Sequence, residues 1–295
     1  MDIVFLNGEY LRRAEARVSV DDRGFLFGDG VYEFTPAYHG RFFRASRHRA
    51  RMRASLGQIA IDYDLEEWDE IHGELLARND LSGEPAAAVY FQVTRGEAPR
   101  AHVFPPSGTR PTLFAFAQRF ERADRAAWEE GFTAVTEPDT RWGRVDIKTL
   151  QLLPNVLALE SARSRGVSEA ILVRDSVALE GSHNNLFAVF GRTVRTHPLS
   201  NRILAGITRE VVLEIARGIG YEVEEAPIGV DSLESASEIF LTGSSTEIRP
   251  IVELDDRRVG AGVAGPVTRA VYDGFLDRVR EECGHGLSGA RATDI

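Results

Sequence analysis

The sequence predicts a mixed α+β fold in two parts, a small α/β first domain and a larger second one built on a mixed sheet. Three observations predict it. At 295 residues the chain exceeds one comfortable core, so two domains are expected. The chain opens on hairpin chemistry, with alternating residues up to Leu6, the turn dipeptide Asn7-Gly8 and a return over Tyr10–Arg12. Beyond residue 132, short apolar strands alternate with amphipathic helices, which predicts a sheet with helical crossovers.

The elements follow in order. Val31–Tyr38 reads as a strand that ends at His39-Gly40, and Ser46 is the expected cap of a helix running to about Gln58. A second helix is expected over Leu65–Arg78, then apolar strands over Ala86–Thr94 and Thr112–Gln118. Between those strands Gly96–Arg110 is rich in Pro, Gly and Arg, and a loop of that length in a compact domain is often functional. The charged stretch Arg119–Glu130 reads as the connection, giving a first domain over 1–120, a linker over 121–131 and a second domain over 132–295. Pro154 marks the first turn of a helix ending near Gly166. Strands are expected over Phe132–Thr136, Ala170–Val173, Val177–Leu179, Leu186–Phe190, Val194–Thr196, Glu222–Ala226 and Glu238–Thr242. Gly206–Gly218 and Pro266–Cys283 are the remaining helices, followed by a polar tail expected to fray.

Composition narrows the function. The net charge of −10 scatters arginines among more numerous carboxylates, which argues against a nucleic-acid surface. No apolar run reaches membrane-spanning length, and the first residues lack a secretory pattern. One cysteine, Cys283, excludes an internal disulfide and suits a reducing cytoplasm. The histidines show no metal-binding spacing, so no metal is expected, and neither a dinucleotide nor a nucleoside-triphosphate glycine motif is present.

The most informative residue is Lys148. Of 35 basic residues, 34 are arginine and this is the only lysine. An ε-amine can lose its proton, attack a carbonyl and form a Schiff base; a guanidinium cannot. Lys148 stands in the apolar run Val-Asp-Ile-Lys-Thr-Leu, where burial would favour the free amine. Three other features of the second half belong with it. Glu180-Gly181 puts a carboxylate at a strand end. Gly206-Ile207-Thr208 opens a helix whose free N–H groups make an anion site. Thr242–Thr246, with Ser244 and Ser245, is a hydroxyl-rich turn suited to phosphate oxygens. Together these parts match the needs of pyridoxal phosphate: a covalent lysine, a carboxylate for the ring nitrogen and a phosphate cradle.

With these motifs the sequence resembles the fold-type IV pyridoxal-phosphate enzymes. That group comprises branched-chain, D-amino-acid and (R)-amine aminotransferases and aminodeoxychorismate lyase. The resemblance runs from Val4 to about Val279, on Asp22-Arg23-Gly24, Gly28–Glu33, His48–Arg51, Lys148, Glu180-Gly181, Leu204–Arg209 and Thr242–Glu247. It implies that Lys148 holds the cofactor and shuttles the proton, and that Glu180 pairs with the pyridine nitrogen. It implies further that Arg51, Ile207, Thr208, Ser244 and Ser245 hold the phosphate, in a homodimer with active sites near the subunit boundary.

Within the family, the loop after Ala86–Thr94 is similar to that of the D-amino-acid aminotransferases. There an Arg-x-His pair, Arg100 and His102 here, grips the substrate carboxylate with a tyrosine matching Tyr32. That loop reaches toward the neighbouring subunit's site. Leu152 stands where branched-chain enzymes carry a tyrosine, and His183 and Asn184 stand where D-specific relatives carry serines. The expected reaction is ping-pong transamination between D-amino acids and 2-oxo acids. The alternatives are an L-branched-chain or (R)-amine transaminase, an aminodeoxychorismate lyase, and a non-catalytic pyridoxal-phosphate-binding protein.

Overall fold

The computed structural model describes residues 2–284; the polar tail expected to fray lies outside them. The described chain divides into two compact units, one of residues 2–121, 147–151 and 282–284 and one of residues 122–146 and 152–281.

The first unit contains β1 (Ile3–Leu6), β2 (Glu9–Arg12), α1 (Arg23–Phe27), β3 (Gly30–Tyr38), β4 (Arg41–Phe42), α2 (Ala45–Gln58), α3 (Trp68–Arg78), β5 (Ala87–Thr94) and β6 (Thr112–Arg119). Its six strands form an antiparallel sheet in the order β2-β1-β6-β5-β3-β4. Asn7 and Gly8 both take positive φ, the twist that a two-residue hairpin turn needs. Val89, Phe91 and Val93 of β5 and Leu113, Ala115 and Ala117 of β6 line one core with Met52 and Leu56 of α2 and Trp68, Ile71 and Leu75 of α3. Period-2 strands and a 3.6-period helical face thus bury the same apolar set. Ser46 does not cap α2: the helix starts at Ala45, and Arg44 precedes it in the left-handed region with no side-chain cap. α3 starts at Trp68 rather than Leu65, because Trp68 N–H closes a tight turn on the Leu65 carbonyl.

The second unit contains α4 (Arg125–Glu130), β7 (Phe132–Pro138), α5 (Leu153–Ser164), β8 (Glu169–Arg174), β9 (Val177–Gly181), β10 (Asn185–Phe190), β11 (Thr193–Thr196), α6 (Ile207–Gly218), β12 (Glu222–Glu225), β13 (Ile228–Gly229), β14 (Glu238–Gly243), β15 (Glu247–Leu254), β16 (Arg257–Arg258) and most of α7 (Pro266–Cys283). The sheet is mixed, with parallel pairs β15–β7, β7–β8 and β11–β12 and antiparallel pairs elsewhere. β9 also pairs with β10, so β10-β14-β15-β7-β8-β9 closes on itself, and Glu180 falls directly opposite Asn185.

Two differences from the sequence reading matter. Residues 121–131, a connection by sequence, include α4, capped by the Asp124 carboxylate on the Ala127 N–H at 2.9 Å. Residues 147–151, read with the second half, belong to the first unit. Their backbone completes the edge of β3: Tyr32 N–H donates to the Lys148 carbonyl at 3.0 Å, and Leu150 N–H to the Gly30 carbonyl at 3.1 Å. A Cβ on Gly30 would lie 2.6 Å from the Val93 carbonyl oxygen, so glycine is required where β3 meets β5. Among the described residues, no helix is long and apolar enough to cross a membrane.

Candidate active site

The first unit carries the lysine. Paired through its backbone to Tyr32, Lys148 is half-buried and extends its amine over the Tyr32 ring, 4.2 Å from the centroid. Among the described residues of its own unit, no carboxylate pairs with that amine. The Tyr32 ring stacks on Tyr90 at 5.3 Å, so the phenol next to the amine is fixed from behind.

Beside this pair stands a buried ionic cluster. Glu33, fully buried, accepts from Arg51 Nε at 2.9 Å and Arg51 Nη2 at 2.6 Å, and pairs with His48 Nδ1 at 3.0 Å. Burial drives the Glu33 carboxyl up, but Arg51 and His48 outweigh it and hold the group below the usual carboxylate range. Burial drives His48 down, against the pull of the Glu33 carboxylate. Arg51 reaches this cluster because His48 and Arg51 stand three residues apart on α2, one face of the helix. The family resemblance implies Arg51 for the phosphate but not Glu33 as its brace. The available signal was an acid inside an apolar strand.

Arg100 and His102 lie on the exposed loop after β5, and both rest against Phe27 of α1. The Arg100 guanidinium is 5.1 Å from the ring centroid and the His102 ring 5.8 Å. In the first unit the structure thus groups Tyr32 with Lys148, and Arg100 with His102.

The second unit carries the other residues. Glu180 is buried at the end of β9 and accepts from Arg141 Nη1, from Asn185 Nδ2 at 2.9 Å and from Leu204 N–H at 3.1 Å. Burial raises its carboxyl above the usual carboxylate range, and Arg141 and the Leu204 N–H offset that only in part. Arg141 is oriented in turn by Asp139, whose Oδ1 accepts from its Nε at 2.8 Å. Arg141 escaped the sequence reading because nothing local separates it from the other arginines; its role arises from the closure of the sheet.

Asn185 ties Glu180 to the start of α6. Its Nδ2 also donates to the Leu204 carbonyl at 2.9 Å, and its Oδ1 abuts Gly206, where any side chain would collide. Gly206 precedes Ile207 and Thr208 with no side-chain cap, so the first-turn N–H groups of this twelve-residue helix have no side-chain acceptor. Asn185 pairs across the sheet with Thr242, whose buried Oγ1 has no hydrogen-bond partner among the described residues. Ser244 and Ser245 follow in the β14–β15 turn, half-buried and exposed. His183 and Asn184 serve the β9–β10 turn: His183 Nδ1 lies 2.8 Å from Ser182 Oγ, and Asn184 Nδ2 donates to buried Glu169 at 2.8 Å.

Residues 30–254 match the family model described as amino-transferase class IV, and the chain belongs to that family. A D-alanine aminotransferase of Staphylococcus haemolyticus is 40% identical over 277 residues, 93% of this chain and 97% of the relative. One of Bacillus licheniformis is 35% identical over 95% of this chain and 98% of its own length. Among solved structures, the branched-chain amino acid aminotransferase of Escherichia coli superposes with a TM-score of 0.87 at 25% identity, covering 97% of both chains. The T.th. branched-chain amino acid aminotransferase, complexed with N-(5'-phosphopyridoxyl)-L-glutamate, gives 0.85 at 27% identity, covering 95% of both.

The residues present fit a phosphorylated pyridine aldehyde. An uncapped helix start without a Cβ, an unpartnered buried hydroxyl at Thr242 and adjacent serines suit a phosphate. A buried carboxylate held by three donors suits a protonated ring nitrogen.

Proposed function

We propose that this chain moves amino groups between D-amino acids and 2-oxo acids with pyridoxal 5′-phosphate as cofactor. D-alanine, D-glutamate, pyruvate and 2-oxoglutarate are the expected substrates. The observation that carries the reading is the only lysine of the chain, strand-paired through its backbone and presenting its amine over Tyr32 without a carboxylate partner among the described residues of its unit. The D-alanine aminotransferases matched over more than nine-tenths of the chain support the choice of substrate.

Bound to the chain, the cofactor supplies an aldehyde for covalent attachment and a ring that withdraws electrons from the substrate. Lys148 Nζ holds it and, once displaced, takes the proton from the substrate Cα and returns it as general base and then general acid. Glu180, anchored by Arg141, keeps the ring nitrogen protonated. Arg51, Ile207, Thr208, Ser244 and Ser245 hold the phosphate, the two α6 residues through backbone N–H groups. Tyr32, Arg100 and His102 bind the substrate carboxylate, a guanidinium fork and two polar rings selecting the enantiomer by the side on which they stand. The first oxo acid leaves before the second enters.

A homodimer belongs to the proposal. Leu153, Val156 and Leu157 form an apolar stripe on α5 that is 58–67% exposed, and Val103 and Phe104 expose a second patch beside the substrate loop. A cytoplasmic setting belongs to it as well, and rests on the single, buried cysteine.

The rival reading is L-branched-chain transamination, the name carried by the solved neighbours at 25–27% identity. Titration of the cofactor-loaded protein separately with D-alanine, L-alanine and L-leucine decides between them. The account expects the visible band to respond to D-alanine alone; a response to L-leucine alone contradicts the D-selective reading and leaves the cofactor assignment standing.

A further inference from the structure

An arginine and a histidine on an exposed loop recognise a small carboxylate well only if something holds them in place. Free arginine side chains sample many rotamers, and fixing them on binding weakens affinity. The loop after β5 rests on a built support.

The support begins with α1. Asp22 caps the helix on the Gly24 N–H at 2.8 Å and also accepts from Thr94 Oγ1 at 2.9 Å, which ties the helix to the end of β5. A Cβ on Gly24 would collide with Thr94, so the helix sits directly on that strand. At its other end Gly28 takes φ +66 and closes back on the Arg23 and Gly24 carbonyls. Phe27 is thereby fixed. Three cationic or cation-capable groups share its ring: Arg23 at 4.8 Å, Arg100 at 5.1 Å and His102 at 5.8 Å.

Asp29, just beyond, organises two buried arginines. Its Oδ2 accepts from Arg23 Nε and Arg95 Nε, each at 2.8 Å, and its Oδ1 from Arg95 Nη2 at 3.0 Å. Each arginine then reaches the loop. Arg23 Nη1 donates to the Ala101 carbonyl at 2.7 Å, between Arg100 and His102. The Arg95 guanidinium lies 3.7 Å from the Phe104 ring centroid, just past His102. The two contacts grip the loop at its middle and at its far side.

We propose that Phe27 and Asp29 are positioning residues for substrate recognition. Phe27 is the ring on which Arg100 and His102 rest, and Asp29 the carboxylate that fixes the two arginines gripping the loop at Ala101 and Phe104. This rests on the reading of Arg100 and His102 as the carboxylate-binding pair. Neither positioning residue touches the reacting atoms.

Phe27→Leu, which keeps an apolar side chain but removes the π face, and Asp29→Asn test it in the cofactor-loaded protein. Phe27→Leu should raise KM for D-alanine roughly threefold to tenfold, the range of a lost cation–π contact, while kcat changes less and the visible band is retained. In an Arg100→Ala, His102→Ala background the same substitution should add almost nothing, since its effect runs through those two side chains. Hydrogen exchange over residues 97–104 should quicken in both single variants. An unchanged KM in Phe27→Leu, or an undiminished effect in the double-alanine background, overturns the proposal. If Arg100→Ala itself leaves KM unmoved, the recognition role of the loop fails. The proposal then falls with that reading, even if exchange quickens, whereas a raised KM in Arg100→Ala with an unchanged KM in Phe27→Leu sinks the proposal alone. Should Asp29→Asn not fold, Phe27→Leu carries the test by itself.

Discussion

His72 illustrates how a titratable side chain becomes part of a core. It lies between Trp68, stacked at 4.1 Å between ring centroids, and Phe91, and it is 1% exposed. Its Nδ1 donates to the Trp68 carbonyl at 2.8 Å, and its Nε2 accepts from Thr35 Oγ1 at 3.2 Å. Burial in this apolar pocket disfavours the charged ring and pushes the imidazole down to about 3. Between pH 6.5 and 3 the unfolded chain therefore binds a proton that the folded chain refuses. Stability falls as pH falls through that window, by up to about 1.4 kcal/mol per pH unit for a single group. His48, lowered by burial, acts in the same direction, whereas Glu33 adds acid sensitivity only below its ordinary value of 4.5. Urea midpoints at pH 7 and pH 5 should thus differ less in His72→Gln than in the parent chain; equal differences would refute the neutral-histidine account. In the sequence, His72 carried no such message. Its helix placed it on a buried face, but the partners Thr35 and Phe91 come from other strands.

At the scale of elements, a buried acid starts the last helix. Glu238 opens β14 and sends its carboxylate to α7, where Oε1 accepts the Val267 N–H at 2.9 Å and Oε2 the Thr268 N–H and hydroxyl, both at 2.7 Å. Gly265 lacks a side chain because a Cβ there would lie 2.1 Å from the Glu238 carboxyl carbon. The charge also faces the positive end of the helix dipole. Glu238→Ala leaves these donors buried and unpaired and should cost about 1–3 kcal/mol in the urea-unfolding free energy. Glu238→Gln, which retains an acceptor, should cost less; equal stability of the alanine variant and the parent would contradict this role. Pro266 and the apolar period made α7 itself legible in the sequence, whereas the cap twenty-eight residues upstream was not. β15 escaped for a related reason. Charges at Glu247, Arg249 and Glu253, with Pro250 among them, break the apolar run expected of an interior strand. The fold accommodates them differently: Glu247 accepts from Arg122 and Tyr272, Arg249 lies over Phe132, and Glu253 faces solvent. α1 was hidden by its length of five residues inside a glycine-punctuated stretch.

For the whole molecule, the class of fold and the motifs of the site were legible because both rest on local pattern. Alternation marked the strands and Pro154 and Gly206 the helix starts, and the lysine stood out by being the only one in the chain. The units were less so. Residues 147–151 pack with the first unit because their backbone completes the edge of β3, a pairing between segments more than a hundred residues apart. Sequence pattern contains no such register. The braces of the proposed site, Glu33 on Arg51 and Arg141 on Glu180, are hidden for the same reason, since each is one charged residue among many until the fold brings it to its partner.

The central claim is a covalent one: a single side chain tethers the cofactor. Because the chain has one lysine, borohydride reduction of the cofactor-loaded protein followed by peptide mass mapping tests it without ambiguity. A phosphopyridoxyl mass is expected on the peptide containing Lys148, and none on the corresponding peptide of Lys148→Ala. An unmodified Lys148 peptide from fully loaded protein, or a label retained in the alanine variant, would contradict it.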